Sequence, residues 1–252
     1  MKKLTSLVST LDNLLRSDKI TDYAGAMNGL QLENSGRITR IIAAVDACEK
    51  VILESAAVKG TLLIVHHGIF WKGVERISGP LYRKISVALS ADLAIYSSHL
   101  PLDLHPQLGN NIQLSLALGI RSVRPALEYK GQAMGLLGTI KPLKRQQFAK
   151  LLSKVTGTVV HFSPGGPETI RTVLVVTGSA GGEVIRAAEL GVDAFVTGEG
   201  PHWSYIAAEE RGVNLFYGGH YATETFGVKA LAAHLSKQCG LPWSFIDHPT
   251  GL

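Results

Sequence analysis

The apolar positions along the chain follow two alternating rhythms. Near the N-terminus Leu4, Leu7, Val8, Leu11, Leu14 and Leu15 recur at helical spacing and predict an amphipathic helix rather than a signal peptide. Further on, short continuous apolar runs alternate with helix-period segments. "RITRIIAAVD" reads as a strand, "ACEKVILESAAVKG" as a helix closed by Gly60, and "TLLIVHHG" as a second strand. "LYRKISVALSA" is again helical, and "DLAIYSSHLPLD" is a third strand running into a loop. This order predicts a parallel sheet with covering helices, because strands buried on both faces read as unbroken apolar runs. "MGLLGTI" and "TVVHFSPGG" predict two more strands around the helix "KPLKRQQFAKLLSK", and "FGVKALAAHLSKQCG" predicts a helix ended by Gly240 before a last strand, "PWSFID".

The pattern repeats. Residues 41–68 lie over 173–200 at a constant offset of 132, with strand, turn, helix and strand in register and Glu199 opposite His67. A second overlay, at an offset of 121, sets 91–103 over 212–224 and matches His99 with His220, Tyr96 with Tyr217 and Asp103 with Glu224. Both halves therefore end a strand with His-x-x-x-carboxylate. The expected fold is α/β, with two pseudo-equivalent βα lobes whose largely parallel sheets are covered by helices. Lobe 1 is expected to span 1–125 and 213–252 and lobe 2 126–212, with a functional cleft between them.

The chemistry gathers at these strand ends, where α/β folds collect ligands. "TLLIVHHGIFWKG" (61–73) runs from an apolar strand into two adjacent histidines and a glycine. Neighbours in a regular strand face opposite ways, so a strand ending at Gly68 would free His66 and His67 to address one pocket. "HLPLD" supplies Asp103 in a loop stiffened by Pro101, and "HYATE" puts His220 and Glu224 four apart on one helix face. His66, His67, Asp103, His220 and Glu224 form a nitrogen-and-carboxylate donor set without thiolate. Such a set suits Zn, Fe, Mn, Co or Ni, and two adjacent imidazoles suit a close ion pair. His99 and Glu199 are candidates for moving protons, with His202 near the same cleft. Asp46 is a candidate partner of a ligand or a helix N-cap, and Phe70, Trp71 and Tyr221 are candidates to stack on a base.

Composition narrows the setting. The 252 residues carry a formal net charge of +5, but Lys and Arg are scattered, so charge is compatible with an anionic substrate and permits nucleic-acid contact without requiring it. No apolar run is long enough to span a bilayer. Cys48 and Cys239, far apart and outside any CxxC, give no disulfide framework, and a cytoplasmic location is expected.

"DYAGAMNGLQLE", "IVHHGIFWKG", "YSSHLPLDLHPQLGNN", "GVDAFVTGE" and "GHYATETFGVKAL" together resemble the NIF-three-like family, whose members carry the name GTP cyclohydrolase 1 type 2 homologues. The resemblance runs from about Asp22 to Asp247. It implies a dinuclear metal centre with two divalent ions per chain and the five ligands named above. Glu224 would touch both ions, His67 and Asp103 would complete one, and His66 and His220 the other. It further implies a homohexameric ring and a hydrolase that attacks a purine nucleotide, as in GTP ring opening, with metal-dependent phosphoester cleavage of nucleotides or nucleic acid as the neighbouring possibility. The alternative is a non-catalytic metal-binding ring that binds nucleic acid or a protein partner. The family's usual "DYAPNGLQ" is here "DYAGAMNGLQ", with Gly25-Ala26-Met27 in place of a proline, and the extra inserted domain of longer relatives is missing.

Overall fold

The computed structural model describes residues 1–71, 73 and 75–252; Lys72, within the double-histidine stretch, and Val74 lie outside the described residues. The elements run β1 Lys2–Lys3, α1 Leu4–Leu15, β2 Gly29–Leu32, β3 Arg37–Ile38, β4 Arg40–Asp46, α2 Glu49–Ser55, β5 Thr61–His67, α3 Gly79–Ser90, β6 Ala94–Ser97 and α4 Leu100–Asp103. They continue with α5 Asn110–Ala117, β7 Arg121–Tyr129, β8 Gln132–Lys144, α6 Arg145–Thr156, β9 His161–Pro164 and β10 Thr169–Val175. Last come α7 Val184–Glu189, β11 Ala194–Thr197, α8 Trp203–Arg211, β12 Asn214–Tyr217, α9 His220–Cys239 and β13 Trp243–Phe245. Among the described residues no helix is long and apolar enough to cross a membrane, and both cysteines carry free thiols.

Two compact units result: Met1–His105 with Gly227–His248, and Pro106–Phe226 with Pro249–Leu252. The boundaries differ from those read off the sequence. Residues 106–125, 213–226 and 249–252 fall in the second unit, where β7 pairs antiparallel with β8 and β12 parallel with β11. Backbone pairing overrode the sequence grouping.

The first unit is built on a five-stranded sheet in the order β13-β4-β5-β6-β2. β13, β4, β5 and β6 are mutually parallel, and β2 closes the edge antiparallel to β6. Every β5 residue from Thr61 to His66 is buried, as expected of a strand covered on both faces. On one face Ile42, Ala44, Leu63, Val65 and Ile95 pack with Val51 and Ile52 of α2 and Leu81 and Ala88 of α3. Helix α1 buries Leu4, Leu7, Leu11 and Leu15, the stripe its spacing predicts. It is tied to the sheet by the buried Tyr96, whose hydroxyl donates to Asp12 Oδ1 at 2.8 Å.

The second unit holds a six-stranded sheet in the order β7-β8-β10-β11-β12-β9. Its centre, β10-β11-β12, is parallel, while β8 and β9 flank that centre antiparallel. The repeat seen in the sequence is thus a shared parallel three-strand module, β4-β5-β6 in one unit and β10-β11-β12 in the other. Strand alternation sorts the second core into two faces. Val173, Val175, Ala194, Val196 and Phe216 pack with Leu114 and Leu118 and with Phe148 and Leu152 of α6. Leu174, Val176, Phe195 and Leu215 face α7 and α8.

Phe148 is fully buried and meets the Phe216 ring edge-on at 4.9 Å, while Phe162 stacks on the same ring at 5.0 Å. Truncating Phe148 removes one wall of this aromatic group and leaves a cavity. Phe148→Ala should lower the unfolding free energy by about 3–5 kcal/mol in urea titration, a loss set by a buried phenyl.

Candidate metal centre

In the first unit the site is made where β5, β6 and α4 end. Strand β5 continues through His67, which pairs opposite Asp46 of β4, so the strand does not stop before the histidines. The two rings nonetheless lie 4.7 Å apart between centroids and tilted by 52°. Their approach is fixed by what holds each Nδ1. His66 Nδ1 lies 2.9 Å from the Ser98 carbonyl oxygen, and His67 Nδ1 lies 2.8 Å from Asp46 Oδ1. A carbonyl and a carboxylate only accept, so Nδ1 carries the proton in both rings and Nε2 is turned away from these partners. Asp46 therefore anchors a histidine; the residue at the N-cap of α2 is Cys48.

His99 is held in the same way. It is 7% exposed, and its Nδ1 lies 2.8 Å from Asp22 Oδ1. Asp22 accepts further hydrogen bonds from the Tyr23 N–H at 2.7 Å, the Asn28 side-chain amide at 2.8 Å and the Leu100 N–H at 3.1 Å. The loop is clasped from the other side as well, since the His99 N–H donates to Asn28 Oδ1 at 2.7 Å. Burial alone would lift the Asp22 carboxyl; the His99 ring, the Asn28 amide and the Tyr23 N–H outweigh it and hold the group below its ordinary value. His66, His67 and His99 each bring one ring nitrogen to within 4.8 Å of the others. Asp103, the buried last residue of the single-turn α4, sets Oδ2 at 3.5 Å from His66 Nε2.

The turn after the histidines is secured by Gln31, whose Oε1 accepts from the Ile69 N–H at 2.7 Å and the Phe70 N–H at 3.3 Å. Its amide occupies the space that a Cβ on residue 68 would need, which is why a glycine stands there. Trp71 meets the His99 ring edge-on at 4.7 Å and the His67 ring at 5.4 Å. Phe70 instead packs against the hydrophobic cluster of the first sheet.

In the second unit His220 opens α9 and Glu224 follows one turn later. His220 Nε2 lies 3.2 Å from Glu224 Oε1, and its Nδ1 lies 2.7 Å from Glu199 Oε1. Glu199, a sequence candidate for proton transfer, is thus engaged in holding His220. His202 is the N-cap of α8, and Tyr221 is buried. Gly178 sits beside this pair in the left-handed region, at φ +73°, and a Cβ there would run into Glu224 Oε1. Burial pulls the His220 imidazole down, but Glu224 and then Glu199 outweigh it and raise it to about 9.

The donors fit a divalent ion of the zinc, iron, manganese, cobalt or nickel group. They are imidazole nitrogens and carboxylate oxygens without thiolate, and each imidazole is oriented by an acceptor on its other nitrogen, the usual arrangement around protein-bound metals. His66 and His67 close β5, Asp103 closes α4 and His220 opens α9, the element ends the sequence suggested, while Glu224 lies one turn into α9. The sequence missed Asp22, Asn28, Gln31 and Gly178, which carry no ligand spacing; the only signal was that the first three sit in the quoted "DYAGAMNGLQLE".

In the metal-free protein the His220 ring should titrate near pH 9 in NMR spectra, and Glu199→Gln should lower that value. Because the folded value lies above the ordinary 6.5, the stabilisation from charged His220 is full below about pH 6.5 and disappears as pH rises through about 9.

A family model described as Duf34/NIF3 (NGG1p interacting factor 3) matches residues 2–250. A Deinococcus radiodurans protein named GTP cyclohydrolase 1 type 2 homolog is 39% identical over 247 residues, covering 98% of this chain and 93% of its own. A Pyrococcus abyssi protein of the same name is 40% identical, with 98% of each chain covered. Among solved structures, protein ybgI, described as of unknown function, superposes with a TM-score of 0.92 at 34% identity, over 99% of this chain and 100% of that one. The crystal structure of TTHA1606 from Thermus thermophilus gives 0.88 at 38% identity, over 99% and 100%. With the family model spanning nearly its whole length, the chain belongs to the DUF34/NIF3 family.

Proposed function

We propose that this protein is a dinuclear metal-dependent hydrolase acting on a purine nucleotide, with opening of the GTP ring as the reaction class. His66, His67 and Asp103 together with His220 and Glu224 hold the ion pair in this reading. The observation that carries it is the common anchoring of the imidazoles: a carbonyl or carboxylate on each Nδ1 aims each Nε2 as a donor. The name shared by the curated relatives supports the choice of substrate.

When bound, two divalent cations supply Lewis acidity and bring the pKa of water toward neutrality. The chain's own residues do the rest. Ser98, Asp46 and Glu199 keep His66, His67 and His220 in the tautomer that presents Nε2, so no ring has to reorganise during the reaction. The Glu224 carboxylate would be among the ligands, and its two oxygens would let it serve more than one ion. Gly178 gives that carboxylate the room a side chain would take. In keeping with the family resemblance, the chain is proposed to work as a homo-oligomeric ring in the cytoplasm.

Elemental analysis of the purified protein should find about two metal equivalents per chain, falling to about one or fewer in Glu224→Ala. Metal-loaded protein should open the purine ring of GTP, followed by mass spectrometry of the product and release of formate. His67→Ala should reduce turnover by about 100-fold or more. Metal-replete wild-type protein inert toward GTP and other purine nucleotides would remove the hydrolytic reading.

A further inference from the structure

An aromatic corner borders the histidines of the first unit. Tyr23 is 61% exposed, yet its ring lies 5.6 Å from that of His99, tilted by 38°. The His99 ring in turn lies 4.9 Å from the His66 ring and 5.6 Å from the His67 ring. Trp71 meets His99 at 4.7 Å and 86°, and His67 at 5.4 Å and 80°. All of these rings belong to the first unit. The sequence offered Trp71 for stacking on a base but not Tyr23.

Tyr23 is fixed where its chain segment meets the site. Its N–H donates to Asp22 Oδ1 at 2.7 Å, and the same oxygen holds His99 Nδ1 at 2.8 Å. The other oxygen of Asp22 accepts from the Asn28 amide and the Leu100 N–H. One carboxylate therefore sets the tyrosine and the histidine relative to each other. A binding residue on a loop works best when a rigid scaffold presents it in this way, because little freedom is lost when the ligand arrives.

The angles decide what the corner can take. The Tyr23 and Trp71 planes stand at 38° and 86° to one imidazole, so they are not parallel and do not sandwich a ligand. A flat ligand lies on one ring and turns its edge to the other. Trp71 is already edge-on to two histidines, whereas most of Tyr23 faces water. Covering an exposed ring with a flat, weakly hydrated partner removes apolar surface from water, and a nucleobase is such a partner.

We infer that Tyr23 is the base-binding residue of this site: the purine of the nucleotide packs on the Tyr23 ring with its edge toward Trp71, and Asp22 holds that ring in position. The inference rests on the nucleotide reading of the metal centre proposed above and adds the residue that recognises the base.

The test is equilibrium binding of GTP, UTP and inorganic triphosphate to the metal-loaded full chain, measured by calorimetry. Wild-type protein should favour GTP over UTP, since the larger ring system covers more of the tyrosine. Tyr23→Ala and Tyr23→Leu should each weaken GTP binding by about 10- to 100-fold, the range for loss of one base–aromatic stack. Tyr23→Phe keeps the ring and should stay within about threefold of wild type. Inorganic triphosphate has no base, so its affinity, like the metal content per chain, should be the same in all four proteins. Unchanged GTP affinity in Tyr23→Ala overturns the inference. A Tyr23→Leu protein that binds GTP as well as Tyr23→Phe also overturns it, because the ring is then a plain apolar cover. An equal loss of triphosphate binding overturns it too, by making Tyr23 a prop for its loop. Wild-type protein that binds no purine nucleotide overturns this inference and the nucleotide reading together. Tyr23-dependent GTP binding without turnover supports the base site and counts against the hydrolase alone.

Discussion

Everything in the candidate centre depends on one kind of hydrogen bond, from an imidazole Nδ1–H to an oxygen that has no proton to return. The Ser98 carbonyl, Asp46, Asp22 and Glu199 each supply such an oxygen, at 2.7–2.9 Å. The bond decides the tautomer and the direction of the ring together. It also explains how the carboxylate of Asp22, costly to bury, stands where it does: it is stabilised by His99 and by three further donors.

These oxygens are in place because of backbone structure, not local sequence. Asp46 faces His67 because β4 and β5 are parallel with that register. Ser98 faces His66 because β6 lies on the other side of β5, with Val65 opposite Ser97. The parallel module therefore brings residues from three strand ends, separated by tens of positions, onto one small volume. The same module in the second unit sets Glu199, at the end of β11, against His220, which follows β12.

The parallel strands were legible because each is an uninterrupted apolar run, and the first helix because its leucines keep a strict stripe. The ligand candidates were legible because polar groups at the ends of apolar strands are conspicuous. What the sequence did not show is set by pairing at a distance. The antiparallel β8 and β9 at the edges of the second sheet read as ordinary strands, without direction. The division of the chain moved for the same reason, since nothing in 121–129 or 214–217 says which sheet those strands join. Asp22 was hidden because its partner, His99, lies 77 positions away. Glu199 was noticed but read as a proton carrier, since a carboxylate at a strand end looks alike whether it faces solvent or an imidazole.

The clasp between Asp22 and Asn28 has a consequence for how this lineage can vary. The Asn28 amide bridges to Asp22 Oδ2 at 2.8 Å, so the residues between them form a closed bight whose two ends are pinned to the His99 segment. Gly25-Ala26-Met27 fall inside that bight. An engineer lengthening the chain between these two pins would keep both residues, Asp22 and Asn28, whose hydrogen bonds fix the His99 segment.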